Sequence, residues 1–96
     1  MSGTLQLSGF LKVAAEDARL LPTHISLYLA LFLQWDENGC KNPVVVNRDE
    51  IMHVSKILGR STYQRCIKQL VSYGYINYKS SFNRFESSLV YIKEQS

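Results

Sequence analysis

The chain has 96 residues and a formal net charge of +3, with 46% apolar and 20% charged residues. These proportions are ordinary for a folded domain and exclude wholesale disorder, and the length suits one small domain. No stretch approaches the roughly 20 apolar residues of a membrane span, and the N-terminus lacks the basic start and apolar run of a secretion signal. We therefore expect a cytoplasmic protein with no membrane partner.

A first amphipathic helix is predicted within residues 5–19. Its apolar residues recur at helical spacing, namely Leu7, Phe10, Leu11, Ala14 and Ala18. The helix is expected to end before Leu20, because the residue that precedes Pro22 disfavours helical backbone.

A second helix is expected after Pro22, with Thr23 as its N-cap. Most positions from His24 to Trp35 are apolar, which predicts a central core helix with one flank available to another subunit. The turn pair Asn38-Gly39 is expected to end it.

A short β-branched run, residues 43–46, predicts a brief edge strand. Asn47, with Glu50 three positions later, resembles a capping box and predicts the start of a short helix. That helix is expected to run to about Ser55 and to bury Ile51 and Val54.

After a turn at Leu58-Gly59, a fourth helix with a sharply divided surface is predicted. One face is apolar and consists of Tyr63, Cys66, Ile67, Leu70 and Val71. The opposite face has hydrogen-bonding and cationic groups but no carboxylate, and consists of Ser61, Gln64, Arg65, Lys68 and Ser72. Such a helix is suited to the major groove of DNA, where base edges and phosphates accept hydrogen bonds.

Gly74 is expected to end the fourth helix, and two strand-like runs follow at residues 75–79 and 89–92. A polar loop, residues 80–88, separates these runs. The predicted order is therefore helix, helix, strand, helix, helix, hairpin.

The charges are distributed unevenly along this order. Residues 1–54 have four cations and six carboxylates, whereas residues 55–96 have seven cations and two carboxylates. This asymmetry favours an anionic partner on one side of the protein. The alternative is a solvated basic surface with no partner.

The stretch ILGRSTYQRCIKQLVSYGYI resembles the recognition helix and the start of the wing in bacterial winged helix-turn-helix regulators. The wider pattern, PTHISLYLALFLQW, NRDEIMHVSKI and GYINYKSSFNRFESSLVYI, is similar to small winged-helix proteins of conjugative and phage-like elements. It is more distantly similar to the winged-helix domain of DnaD-type replication proteins. The resemblance covers residues 20–93, with one departure, since Gly59 stands where the family has a capping serine.

The resemblance implies a mainly α fold with a small β-hairpin, in which an N-terminal helix (residues 1–19) precedes a winged-helix domain (residues 20–96). It implies that residues 60–73 form the recognition helix and residues 79–88 the wing. The expected function is sequence-specific binding of double-stranded DNA by a small transcriptional regulator of a mobile element. The alternative is a winged-helix protein–protein interaction module, or a replication or mobilisation accessory protein.

The candidate DNA-binding residues follow from their chemistry and from these positions. Arg65 and Lys68 are expected to enter the groove, Gln64 to contact adenine, and Ser61 to contact phosphate. Cations and N–H groups at a helix N-terminus favour the binding of phosphate. Lys79 lies on a strand that supports the wing. The remaining members of the set are Arg60 and Thr62 at the helix N-terminus and Asn83 and Arg84 at the wing tip.

The sequence offers no basis for catalysis, a metal or a cofactor. Two cysteines and two histidines (Cys40, Cys66, His24 and His53) do not match a zinc-ligand spacing, and no phosphate loop or paired nucleophile and base is evident. A homodimer is expected, with residues 5–19 as its contact surface, because one such module covers a short DNA site.

Overall fold

The computed structural model describes residues 2–80 and 87–93. The helices are α1 (Ser2–Glu16), α2 (Pro22–Glu37), α3 (Arg48–Ser55) and α4 (Arg60–Ser72), and the strands are β1 (Val44–Asn47), β2 (Ile76–Ser80) and β3 (Ser87–Ile92). The predicted order of elements is confirmed over these residues. None of these helices combines the length and the apolar character needed to cross a membrane.

The three strands form one antiparallel sheet in the order β1-β3-β2. Val44 pairs with Val90 on one side of β3, and Tyr78 pairs with Val90 on the other. The predicted edge position of β1 is confirmed. The architecture is mainly helical with a small antiparallel sheet, which is compatible with a winged-helix-like α/β fold.

The core lies between α2, α4 and the inner face of the sheet. The side chains at its centre are at most 1% exposed and come from every layer, and they include Leu27, Leu31, Val46, Leu70 and Val90. Burial of this kind contributes about 1.5–3 kcal/mol for each large apolar side chain. The fixed position of α4 on the body therefore depends mainly on its apolar face.

The structure corrects the predicted apolar stripe of α1. The helix ends at Glu16, and the buried stripe is Gln6, Phe10 and Ala14, whereas Leu11 is 45% exposed. Phe10 stacks on Tyr28 with 3.6 Å between ring centroids, and Gln6 Nε2 donates to Tyr28 Oη at 2.7 Å. The amide of Gln6 is buried because it has a specific phenol acceptor, which hydrophobic periodicity alone does not detect.

The predicted N-cap of α2 is also wrong by two residues. Leu21 is the N-cap, with φ −102° and ψ 166°, and Pro22 is the first helical residue. Leu21 adopts extended backbone because it precedes proline. Proline suits the first helical position of Pro22, because an N–H at that position would find no acceptor within the helix and proline has none. Leu21 N–H donates to His24 Nδ1 at 2.9 Å, so His24 completes this helix start.

The predicted cap of α3 is confirmed, but one of its two predicted core residues is wrong. Asn47 Oδ1 accepts from Glu50 N–H at 3.1 Å, and Ile51 is fully buried. Val54 is 41% exposed, and Ser55 is buried instead. Ser26 Oγ donates to the Ser55 carbonyl oxygen, which brings the last turn of α3 against α2 through polar contacts.

Candidate nucleic-acid interface

A short connection, residues 56–59, joins α3 to α4. Lys56 ends α3 in the left-handed region with φ 65°, and Gly59 is the N-cap of α4 with φ −97° and ψ 133°. Gly59 has no side-chain acceptor for the first N–H groups of α4. These N–H groups, together with the helix dipole, favour an anion at this end.

The apolar side of α4 packs as predicted. Tyr63, Cys66, Ile67 and Leu70 are all buried, and Val71 is half-buried at the margin of that face. Burial raises the pKa of Tyr63 to about 12, so its phenol is neutral under ordinary conditions. This packing determines which side of α4 faces the solvent.

The polar side of α4 is exposed along the whole helix. Its exposed residues are Arg60, Ser61, Gln64, Arg65, Lys68 and Ser72. Thr62 is half-buried, so its side chain does not belong fully to this surface. We call these six exposed residues the α4 polar face. It has three cations and no carboxylate.

The remaining predicted site residues lie elsewhere or outside the described residues. Lys79 is exposed on β2 but alternates with Tyr78, which lies beside α4. Because successive side chains leave opposite faces of a strand, Lys79 is on the sheet face away from α4. Asn83 and Arg84 fall within residues 81–86, outside the described residues.

A buried histidine fixes α4 against α2. His24 is 1% exposed, and its Nδ1 accepts from Leu21 N–H, so the proton is on Nε2. Nε2 then donates to Gln69 Oε1 at 2.7 Å. Gln69 lies on α4 one residue beyond Lys68, so this hydrogen bond restricts rotation of the helix that carries the polar face.

The C-terminal end of α4 is fixed by the segment that joins α1 to α2. The Arg19 guanidinium lies 4.3 Å above the Tyr73 ring centroid, and Arg19 Nη2 lies 2.8 Å from Asp17 Oδ2. Asp17 Oδ2 also accepts from Tyr75 Oη at 2.7 Å. The hydrogen bonds from Arg19 and then from Tyr75 hold the pKa of Asp17 well below its usual range.

A groove of about 380 Å³ runs between α4 and β2. Its lining residues are Tyr63, Gln64, Ile67, Lys68, Val71 and Tyr78. We call it the α4–β2 groove. Gln64 and Lys68 belong to the α4 polar face, so the groove opens beside that face and adds an apolar wall to it.

Three residues of this region were not predicted as site residues. Lys56 is an exposed cation in the connection that precedes α4. Its position beside the turn was a usable signal in the sequence. Val71 and Tyr78 line the α4–β2 groove. Val71 follows Gln64 at i+7, which places both on one edge of the helix, but Tyr78 reaches the groove only through the pairing of β2 with β3.

Among the described residues, no group of three or more His, Cys, Asp or Glu side chains is arranged to hold a metal ion. Comparison of the chain with protein-family models, curated proteins and solved structures finds no match. The geometry around α4 is therefore the basis for a functional proposal.

Proposed function

We propose that the chain binds double-stranded DNA as a winged helix and acts as a small sequence-specific transcriptional regulator. In this proposal α3 and α4 form the helix-turn-helix, α4 is the recognition helix, and the hairpin of β2 and β3 is the wing. The observation that carries the proposal is the α4 polar face, which is exposed along the helix and has cations but no carboxylate.

The dimensions of α4 support this proposal. A helix of 13 residues is about 20 Å long, and its diameter of about 10–12 Å fits the major groove of B-DNA. A carboxylate on the exposed side would repel phosphate, and α4 has none. A solvated helix face has no need to exclude carboxylates, whereas a DNA-binding face does.

The residues of the polar face would have different roles. Arg65 is proposed to contact a guanine edge, since bidentate Arg–guanine pairing is the commonest specific base contact. Arg60, Ser61 and the first N–H groups of α4 are proposed to hold a phosphate. Lys68 and Lys56 are proposed to add phosphate contacts on either side of this position.

A fluorescence anisotropy titration of a labelled mixed-sequence duplex tests the proposal. The logarithm of affinity should fall linearly with the logarithm of salt concentration, with a slope of about −0.9 for each neutralised phosphate. Lys68→Ala should weaken binding to all duplexes alike and reduce the slope by about one contact. Arg65→Ala should relax the preference at one base position in duplexes selected from a random pool.

Lys41→Ala is the matched control, because Lys41 is an exposed cation in the loop before β1, outside the proposed surface. It removes the same charge as Lys68→Ala and should leave the slope almost unchanged. Equal effects of the two variants, or affinity that does not depend on salt, would contradict the proposal.

A second surface favours a protein contact, and we propose that it joins two copies of the chain. A groove of about 780 Å³ lies between α1, α2 and α3, and none of the described residues that line it is charged. Leu11, Leu21, Leu29 and Val54 stand at its rim with exposed fractions between 39% and 55%. Exposed leucines beside small residues such as Ala14 would let the same surface serve both copies across a two-fold axis.

Sedimentation equilibrium tests the dimer. Leu29→Lys should shift the chain to monomer, because a charge in an apolar interface lacks a partner. Val45→Lys is the control, since Val45 is 67% exposed and lies outside this groove. A chain that is monomeric at all concentrations, or equal behaviour of both variants, would contradict the dimer.

A further inference from the structure

The α4–β2 groove has two chemically different sides. Gln64 and Lys68 are exposed on the α4 side, whereas Tyr63 and Ile67 are each 3% exposed and form the floor. Val71 and Tyr78 are half-buried, and they form an apolar wall. A hydrogen-bonding side chain thus lies next to an apolar recess on the same open side.

Both tyrosines contribute carbon surface rather than charge to this groove. The Tyr78 hydroxyl is already hydrogen-bonded to Ser88 Oγ at 2.7 Å within the sheet. The Tyr63 phenol is buried and, like any tyrosine at physiological pH, carries no charge. Among the described residues that line the groove, Lys68 is the charged one, and its side chain is exposed.

An A·T pair presents a matching pair of features in the major groove. Adenine offers its N7 acceptor and N6 donor, which a glutamine amide satisfies with two hydrogen bonds. Thymine offers its O4 acceptor and the C5-methyl group, which favours an apolar contact. A G·C pair has no methyl group, and its guanine edge has two acceptors, which suit arginine rather than glutamine.

We propose that the α4–β2 groove reads an A·T pair, with Gln64 on the adenine edge and the wall of Val71 and Tyr78 against the thymine methyl group. This inference rests on the proposed DNA-binding function and specifies it. Lys68 at the rim holds a neighbouring phosphate and fixes the distance between the groove and the base pair. Arg65 lies outside the groove and reads a different position.

Five short duplexes of equal length and charge test this inference by anisotropy at one salt concentration. Each has the same flanking G·C pairs, which offer Arg65 its guanine, around a central segment of A·T, A·U, G·C, G·5-methylcytosine or inosine·C pairs. Replacement of thymine by uracil removes only the methyl group, and 5-methylcytosine adds one to a G·C duplex. Inosine·C has the major-groove edge of G·C but the minor-groove edge of A·T.

The A·T duplex should bind tightest. The A·U duplex should bind more weakly than the A·T duplex, by about fourfold for each thymine methyl group that the protein contacts. This factor is the effect of burying one methyl group. 5-Methylcytosine should strengthen binding to G·C, and inosine·C should bind like G·C. Equal binding of A·T and A·U, or binding of inosine·C at the level of A·T, would overturn the inference, because the preference would then not come from the major-groove edge.

Two variants separate the two sides of the groove. Gln64→Ala should reduce the preference for A·T over G·C by roughly 5- to 150-fold, the range for one bidentate contact. Val71→Thr keeps the shape of a half-buried side chain and should move the affinity ratio of thymine to uracil duplexes towards unity. Lys41→Ala, at an exposed position outside both the groove and the α4 polar face, is the control and should change neither ratio.

These outcomes distinguish the inference from the function on which it rests. Salt-dependent binding that is equal for all five duplexes overturns A·T recognition and leaves DNA binding in place. Failure to bind any duplex overturns both. Unchanged ratios in Gln64→Ala and Val71→Thr, with salt-dependent binding intact, place base recognition elsewhere on α4.

Discussion

The two helices joined by residues 56–59 differ at their N-termini, although each packs one side against the core. The α3 helix begins with Asn47, whose side chain accepts from Glu50 N–H, and has Asp49 and Glu50 in its first turn. The α4 helix has Gly59 as its N-cap and Arg60 as its first helical residue, and no acidic residue lies in its first turn. The first N–H groups of α3 thus have a side-chain acceptor and nearby negative charge, whereas the N-cap of α4 supplies no side-chain acceptor and its first turn no acidic residue.

The difference between the two N-termini bears on helix stability and on the attraction of anions. A side-chain cap typically contributes about 1 kcal/mol to helix stability, and glycine forgoes a few tenths of this. The α4 N-terminus instead retains donors and a positive dipole for an external anion. The two helix starts thus differ in that a side chain caps α3, whereas no side-chain cap is present at α4.

The largest expected effect concerns the buried sides of α3 and α4, both of which pack against the core. Ile51 on α3 and Leu70 on α4 are both fully buried, so Ile51→Ala and Leu70→Ala should each lower the free energy of unfolding by about 2–5 kcal/mol. Urea denaturation followed by circular dichroism measures this loss. A loss below 1 kcal/mol for one of the two would show that its helix is not held by the common core.

The next effect is expected at the N-terminus of α4. Gly59→Asp supplies the missing cap and a negative charge, so it should stabilise the fold while weakening DNA binding about tenfold, or about 1.4 kcal/mol. Position 59 accepts a side chain without strain, since an added Cβ would lie 3.7 Å from Thr62 Oγ1. Anisotropy titration and urea denaturation measure the two changes.

Gly59→Ser separates the cap from the charge in this experiment. It adds a capping hydroxyl but no carboxylate, and it should retain most of the affinity for DNA. Equal loss of binding in both variants would mean that the backbone at residue 59, rather than the charge at the helix start, controls affinity.

A smaller effect is expected at the N-terminus of α3. Asn47→Ala removes the acceptor for Glu50 N–H and should lower the free energy of unfolding by about 1 kcal/mol. At temperatures where the variant is folded, its affinity for DNA should not change, because the N-terminus of α3 is capped within the chain and is not part of the proposed DNA-binding surface. A loss of affinity in the folded variant would show that the two helix starts are coupled.

The smallest effect is expected at the other end of α4. The pKa of Asp17 is lowered in the folded chain, so its contribution to stability is complete above its unfolded pKa of about 3.9 and is lost as the pH falls. Asp17→Asn should therefore slightly lower the melting temperature at neutral pH and reduce its dependence on acid. Thermal melts between neutral and acidic pH measure this, and identical pH profiles of variant and parent would contradict it.

The surface division of α4 could be predicted from sequence because it depends on local geometry. Helical periodicity alone places Arg65 and Lys68 opposite Cys66 and Leu70, whatever covers the apolar side. The same is true of the α3 cap at Asn47. The prediction of burial was wrong at Leu11 and Val54, because burial at these positions depends on whether a neighbouring element covers them.

The cap of α2 shows why even a local signal has limits. Thr23 is a favourable capping residue, but Leu21 is forced into extended backbone by the following proline, and His24 supplies the hydrogen bond. The ring of His24 is also hydrogen-bonded to Gln69 of α4. A contact across 45 residues thus holds the ring that completes this helix start.

The sequence by itself determined the order of helices and strands, the α3 cap and the polar face of α4, because these follow from backbone geometry over a few neighbouring residues. Tertiary structure alone decided that Gln6 is buried, that His24 joins α2 to α4, and that Tyr78 closes a groove beside Gln64. Each of these depends on two segments that meet only after the chain has folded, since the side chain that covers a residue comes from a distant part of the chain.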